Sequence, residues 1–167
     1  MIMHQPSVLS VNGNVPAWLA QNAEAATITT FEKICRQTVA SGVSIDEIGH
    51  YDGLIGNISF VGDLTWSLVL GLPHYSAEAI AKKFVGCEVS FDSPDMGEIV
   101  AELTNILAGV LCGQVENEGF KAQMSLPTVA RGSDFELLLS DKFYSQKLNF
   151  KTADNNFFWI KIIVAKH

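Results

Sequence analysis

The sequence predicts one α+β domain in which long helices pack on a mostly antiparallel sheet. Two observations support this prediction. The patterns follow one another in the order helix, strands, helix, helix, strands, and short turns join most neighbouring strand patterns. Strands joined by short turns pair antiparallel, because a parallel crossover needs a much longer connection. The length of 167 residues suits a single domain with a sizeable core.

We expect residues 1–15 to form a loose or edge N-terminal arm and residues 16–167 to form the domain. The first residues lack the positive region that begins a signal peptide. No apolar run reaches the roughly eighteen residues of a membrane span. The formal net charge is −7, and an acidic surface repels both nucleic acid and anionic membranes. We therefore expect a cytoplasmic protein without either of these partners.

The first half of the chain is predicted to be a helix followed by strands. Pro16 opens a helical pattern that continues to about Val39, and Ser41 with Gly42 is expected to end it. Strand patterns then occupy residues 43–49, 53–63 and 65–73. Gly62-Asp63 is a typical hairpin turn between the last two.

The second half is predicted to contain two helices and four strands. Ser76 is expected to cap a short helix over residues 77–86. A longer helix should start at Pro94, since the preceding serine is a preferred cap, and should stop near Gly113. Strand patterns follow at residues 119–126, 134–141, 144–152 and 156–165. Both halves begin with a long helix, which hints at an internal duplication that residue identity alone does not establish.

The longest helix pattern carries a polar stripe formed by Glu98, Glu102, Asn105 and Gly109. On an ideal helix these four positions lie within about 60° of one line and extend over about 16 Å. The opposite arc is apolar and is expected to be buried: Ile99, Val100, Leu103, Ile106, Leu107, Val110 and Leu111. Two acids four residues apart, a mid-helix asparagine and a glycine each disfavour a helix. The spacing alone fits either a solvated surface or a docking face for another molecule.

Other kinds of chemistry have little support in the sequence. The three cysteines, Cys35, Cys87 and Cys112, have an odd count and apolar or helical surroundings, which suits reduced structural thiols. The four histidines are scattered and show no metal-ligand spacing. No glycine-rich phosphate loop is present. We therefore expect no metal ion and no cofactor bound by this chain itself.

Two segments together resemble the CheX/CheC family of chemotaxis phosphatases, and CheX most closely. They are ELTNILAG, within the polar stripe, and SLPTVARG at residues 125–132. That family carries a helix with E-x-x-N and, after the next strand, a segment like S-x-P-T-x-x-x-G. The matching residues are Glu102 and Asn105, preceded by Glu98, and then Ser125, Pro127, Thr128 and Gly132. The resemblance extends from about Ala17 to Ala165 and implies a CheC-like α/β sandwich with pseudo-duplicated halves.

This resemblance implies that the chain docks on a phosphorylated receiver domain such as CheY and hydrolyses its aspartyl phosphate. The receiver would supply the phosphorylated aspartate, a lysine and a Mg²⁺ ion. Asn105 would position the attacking water, and Glu102 would pair with the lysine. The other docking residues are expected to be Glu98, Ala101, Ala108 and Gly109. Relatives of the CheX kind pair through sheet edges, so a homodimer is expected.

Some points of the resemblance remain open at the level of sequence. The first helix has Cys35 three residues after Glu32, where a second E-x-x-N would need an amide, so we expect one active site per chain. A non-catalytic receiver-binding or flagellar-switch module of the same fold is the main alternative, and a small-ligand sensor is a weaker one. The apolar last strand, FFWIKIIVA, suits an edge or a central position equally.

Overall fold

The computed structural model describes residues 14–44 and 52–166 of the chain. Within these ranges it contains three helices and a seven-stranded sheet. In chain order the elements are α1 (Ala17–Cys35), β1 (Val39–Ser41), β2 (Asp52–Gly62), β3 (Trp66–Pro73), α2 (His74–Val85), α3 (Pro94–Asn117), β4 (Ala122–Met124), β5 (Thr128–Ser133), β6 (Phe143–Thr152) and β7 (Phe157–Ala165). Of the predicted arm, only residues 14 and 15 are described, and Val15 already belongs to the core.

The sheet confirms the predicted α+β class, because every strand pair among the described residues is antiparallel. The strand order is β1-β6-β7-β3-β2, and β4 and β5 follow each other along the outer side of β2. The hairpins β2–β3 and β6–β7 therefore meet at the central pair β3–β7. Each hairpin comes from one half of the chain. The apolar last strand, β7, therefore lies in the centre of the sheet and not at its edge, the two positions that the sequence allowed.

The two faces of the sheet are covered differently. Most even-numbered residues of β2, β3 and β7, such as Leu70 and Ile160, are buried with the three helices in one large core. Odd-numbered residues point to the reverse face, where Val69, Trp159 and Ile163 form a smaller cluster. This alternation is the period of two that a pleated strand imposes on its side chains. All three helices therefore lie on one face of the sheet.

Helix α3 begins as the sequence predicts and lies directly against β2. Ser93 is the N-cap, and its side chain accepts a hydrogen bond from the Met96 backbone N–H at 3.3 Å. A β-carbon added to Gly56 of β2 would overlap the hydroxyl of Thr104, so the glycine permits this close approach. By length and composition α3 could cross a membrane, but its apolar side forms part of the core of this domain.

The first helix is shorter than predicted. It ends at Cys35, Arg36 adopts the left-handed conformation with φ 55°, and Val39 starts a strand. Val39 is buried, and its N–H donates to the Glu32 carboxylate at 3.1 Å, which turns the chain back toward β6. The predicted strand at 43–49 is wrong at residues 43–44, and the rest of it lies outside the described residues.

Helix boundaries after β3 also differ from the prediction. Ser76 does not cap α2, which starts two residues earlier; its buried hydroxyl instead donates to the Phe157 carbonyl at 2.5 Å. Gly86 ends α2 as expected, in the left-handed conformation with φ 81°. Gly113 does not end α3, because the helix continues to bury Val115 against the core. Packing thus outweighs the cost of an interior glycine, about 1 kcal/mol.

In the second half of the chain, one predicted strand is wrong and one was missed. Residues 134–140 form no regular element, and Leu137 packs on the reverse-face cluster instead. The strand β5 lies just before them, where the sequence TVARGS shows little apolar alternation. It is a strand because it pairs with six residues of β2. Of the predicted strand at 119–126, only Ala122–Met124 forms a strand, β4. The longer of the two strands along the outer side of β2 therefore depends on tertiary pairing.

Candidate functional site

The polar stripe of α3 faces outward as the sequence predicts. Glu98, Glu102 and Gly109 are exposed, and Asn105 is partly exposed. Most of the opposite arc is buried in the core. Three residues of this arc depart from the prediction: Val110 is 40% exposed, and Ile99 and Ile106 are partly exposed.

The functional groups of Glu102 and Asn105 are available for a partner. In residues 14–44 and 52–166, neither side chain forms a hydrogen bond or an ion pair with another part of the chain. The two residues are three apart, so their side chains lie side by side on one helical turn. A carboxylate accepts hydrogen bonds or pairs with a cation, and an amide both donates and accepts. The stripe therefore presents one anionic group beside one group that can hold a water molecule.

Of the small residues predicted to flank the stripe, two remain at the surface. Ala101 is partly exposed and Gly109 is exposed. Ala108 is fully buried, with 0% exposure, and belongs to the main core. Its inclusion among the docking residues is therefore wrong. On the helix it lies about 100° from Gly109, on the flank that packs against the sheet.

Arg131 of β5 ties the start of α3 to the sheet edge. Its guanidinium donates to the Ser93 carbonyl at 2.6 Å and to the Asp92 carbonyl at 3.3 Å. It also lies 5.7 Å from the centre of the Phe91 ring. Sequence reasoning did not assign this function to Arg131, although the residue lies within the family-like segment 125–132. These contacts fix the end of the helix from which the polar stripe begins.

Phe91 connects the same loop to α2. Its ring stacks on His74 at 4.0 Å between centroids, and its backbone N–H donates to Glu78 at 2.9 Å. His74 and Glu78 lie 3.3 Å apart, one helical turn from each other. The loop before α3 is therefore held from both sides, so the stripe is presented on a rigid element.

The segment between β4 and β5 interrupts the outer edge of the sheet. Ser125 donates its backbone N–H to the Ser59 carbonyl at 2.8 Å, and its side chain accepts the Ser59 N–H at 3.0 Å. Pro127 follows, where the chain leaves one strand and enters the next. A proline suits this position, since at an edge it removes no ladder hydrogen bond.

The family of this chain follows from a comparison of sequences. A family model described as "Chemotaxis phosphatase CheX" matches residues 54–150, which is more than half of the chain and includes both α3 and β5. The chain belongs to the CheX family. No curated protein matches it by sequence.

Solved structures of CheX-family and CheC-like proteins share this fold. A CheC-like superfamily protein from Shewanella sp. PV-4 has a TM-score of 0.75 at 18% identity, over 91% of this chain and 100% of that one. CheX from Vibrio vulnificus has a TM-score of 0.74 at 18% identity, over 89% and 99%. CheX in a complex with CheY, BeF₃ and Mg²⁺ from Borrelia burgdorferi has a TM-score of 0.72 at 16% identity, over 89% and 98%. These likenesses confirm the CheC-like fold.

In this CheX-family chain the first helix does not repeat the polar stripe. Glu32 is engaged by the Val39 backbone, and Cys35 is buried. Burial raises the pKa of the Cys35 thiol to about 11, which keeps it protonated at neutral pH. Glu24, the other acid of this helix, accepts a hydrogen bond from Ser41. The acids of α1 thus serve contacts within the chain.

The described part of this CheX-family chain has no cluster of metal ligands, and two of its three cysteines carry thiols of raised pKa. No group of three or more potential ligands lies together in residues 14–44 and 52–166. Burial, and to a lesser degree Glu116, raises the pKa of the Cys112 thiol. A thiol with a raised pKa is a poor nucleophile. The stripe on α3 therefore remains the candidate functional site.

Proposed function

We propose that this protein docks on a phosphorylated CheY-like receiver domain and hydrolyses its aspartyl phosphate, ending a chemotaxis or related two-component signal. The observation that supports this proposal is the exposed pair Glu102 and Asn105, one turn apart on a firmly held helix and without partners in the described residues. Membership of the CheX family, which is described as a chemotaxis phosphatase, supports assigning phosphatase chemistry to this pair.

In the proposed mechanism, Asn105 holds the attacking water in line with the phosphorus atom. Its amide oxygen accepts a hydrogen bond from the water, and its NH₂ group donates one. The water oxygen bonds to phosphorus while the bond from phosphorus to the aspartate oxygen breaks, which releases inorganic phosphate and restores the carboxylate. Positioning is the main contribution required, because phosphoryl transfer depends on alignment and charge neutralisation.

Glu102 supplies the docking contact in this proposal. Its carboxylate pairs with the lysine of the receiver active site, which brings Asn105 over the phosphoryl group. Glu98 is a secondary contact one turn earlier, and Ala101 and Gly109 allow the receiver to approach the helix closely. The Mg²⁺ ion belongs to the receiver, and the phosphatase contributes no cofactor of its own.

The Borrelia burgdorferi structure supports this choice of partner, since that CheX is in a complex with CheY, BeF₃ and Mg²⁺. By the same family argument we propose that the protein acts in the cytoplasm as a homodimer. The unengaged stripe occurs on α3 and not on α1, so each subunit would carry one site.

Replacing Asn105 with alanine tests the proposed mechanism. We expect the rate of phosphate release from a phosphorylated CheY-like receiver to fall by about a hundredfold, the scale of losing one precisely placed group. Binding of the beryllofluoride-activated receiver should change little, because Glu102 remains. The matched control is Asn117→Ala, at the far end of the same helix.

Equal phosphate release by the wild type and Asn105→Ala would show that Asn105 is not the water-positioning group. Receivers encoded in the same genome should each be tried, since a non-cognate receiver gives no activity. A wild-type protein that binds a receiver without accelerating its dephosphorylation would instead support the non-catalytic binding module.

A further inference from the structure

A highly exposed leucine lies beside the polar stripe. Leu126 is 87% exposed and lies where β4 gives way to β5 on the outer side of β2. An isolated exposed leucine needs no explanation by itself. Leu126 differs from such a residue in two ways: it lies beside α3, and hydrogen bonds hold its backbone in place.

Hydrogen bonds hold the Leu126 segment in place. The backbone of Ser59 exchanges two hydrogen bonds with Ser125, one through the Ser125 N–H and one through its side chain. The Ser125 hydroxyl donates in turn to the Leu126 carbonyl at 3.0 Å. Leu126 is therefore presented to solvent from a fixed backbone, so ordering it on binding costs little conformational entropy.

The Leu126 segment runs beside the middle of α3. At one end, Val129 pairs with Gly56, against which Thr104 of α3 packs. At the other end, the Ala122 carbonyl lies 3.9 Å from the Cys112 sulfur of α3.

Leu126 lies between these two contacts along the chain. It therefore flanks the turns of α3 that carry Asn105 and Gly109. The polar stripe and the exposed leucine border the same side of the molecule.

We propose that Leu126 is an apolar anchor of the docking surface for the receiver domain. This inference rests on the function proposed above and adds a contact beside the reacting groups. A receiver whose phosphoaspartate meets Asn105 must also cover neighbouring surface, and a fixed apolar side chain at the border gains free energy when it is buried there.

Charge favours a receiver over a second copy of this chain as the occupant. A second copy placed face to face would bring Glu98 and Glu102 against the same acids on a molecule of net charge −7. A receiver offers a lysine and a bound Mg²⁺ to the same acids in the proposed complex. The stripe and Leu126 thus suit one partner with a cationic centre and an apolar border.

The test replaces Leu126 with serine in the full chain. We expect the Kd for a beryllofluoride-activated CheY-like receiver to rise about tenfold, and the KM for the phosphorylated receiver to rise with it, because buried apolar surface is lost. The turnover number should stay at the wild-type value, since Asn105 is untouched.

The chain provides a matched control in Leu138→Ser. Leu138 is 84% exposed and follows Leu137, which packs on the reverse face of the sheet. The same loss of an exposed leucine there should leave Kd and KM unchanged. Equal thermal unfolding of the two variants would show that neither effect comes from folding.

An unchanged Kd for Leu126→Ser would overturn this inference and leave the proposed function intact. A wild-type protein that binds a receiver without turnover would overturn the catalytic proposal, while the Kd comparison would still test Leu126. A wild type that binds no receiver would overturn both.

Discussion

Glu102 and Asn105 contribute different properties to the proposed site, and single substitutions can separate them. The carboxylate provides charge, and the amide provides a geometry of donors and acceptors. Neither property is used within the described part of the chain. Ala108, one turn beyond Asn105, shows how narrow the functional face is, because it is already in the core.

Glu102→Gln removes the charge and keeps the shape of the side chain. We expect the Kd for an activated receiver to rise about tenfold at low salt, because a charge-assisted pair with the receiver lysine is lost. The salt dependence of binding should become weaker for the same reason. Isothermal titration calorimetry at two ionic strengths measures both quantities.

The control for this substitution is Glu136→Gln, which makes the same change in net charge next to Leu137, whose side chain lies on the reverse face. It should bind as the wild type does. If the two variants bound equally weakly, overall charge rather than a specific pair would be responsible.

At the scale of elements, α3 combines a structural and a functional side. Its apolar side completes the core above β2, while Arg131 and Ser93 hold its first turn. Of the three glycines in this helix, Gly109 and Gly113 lie farthest from its first turn, and a β-carbon added at either would meet no atom within 4 Å. The fold itself thus has room for alanine at both positions.

Gly109→Ala and Gly113→Ala should each raise the free energy of unfolding by about 0.5–1 kcal/mol, because alanine is the better helix former. Urea denaturation measures this change. Only Gly109→Ala should raise the KM for a phosphorylated receiver, since Gly109 belongs to the docking stripe and lets the partner approach. A Gly109→Ala variant that is more stable and has wild-type KM would remove Gly109 from the docking face.

At the scale of the whole molecule, β6 forms one edge of the sheet that is largely open among the described residues. Strand β1 pairs only with residues 150–152 of β6, and the Gly42 N–H adds one hydrogen bond to the Asn149 carbonyl at 3.1 Å. Among the described residues, no strand covers the rest of that side. In an antiparallel strand alternate residues point their N–H and C=O to the same side, so Ser145 faces outward as Asn149 does.

The proposed homodimer can be tested at this edge. We expect light scattering to give twice the 18.2 kDa chain mass for the wild type. Ser145→Pro removes an outward N–H and should yield a folded monomer, because edge strands tolerate proline. Gln146→Pro removes a donor that points toward β7 and should lower the free energy of unfolding, because a ladder hydrogen bond is lost. A monomeric wild type would contradict the dimer.

From the sequence one can predict most of the long helix α3, its serine cap, its outward polar stripe and the two central hairpins. These features depend on contacts close in the chain or on a strong period, which the residues carry locally. The tertiary structure alone decided that β5 is a strand, that β7 is central and that α1 stops at Cys35. It also placed Ala108 in the core and Leu126 beside the stripe. Pairing with a distant strand and burial against distant elements override weak local preferences, and a linear pattern does not record either.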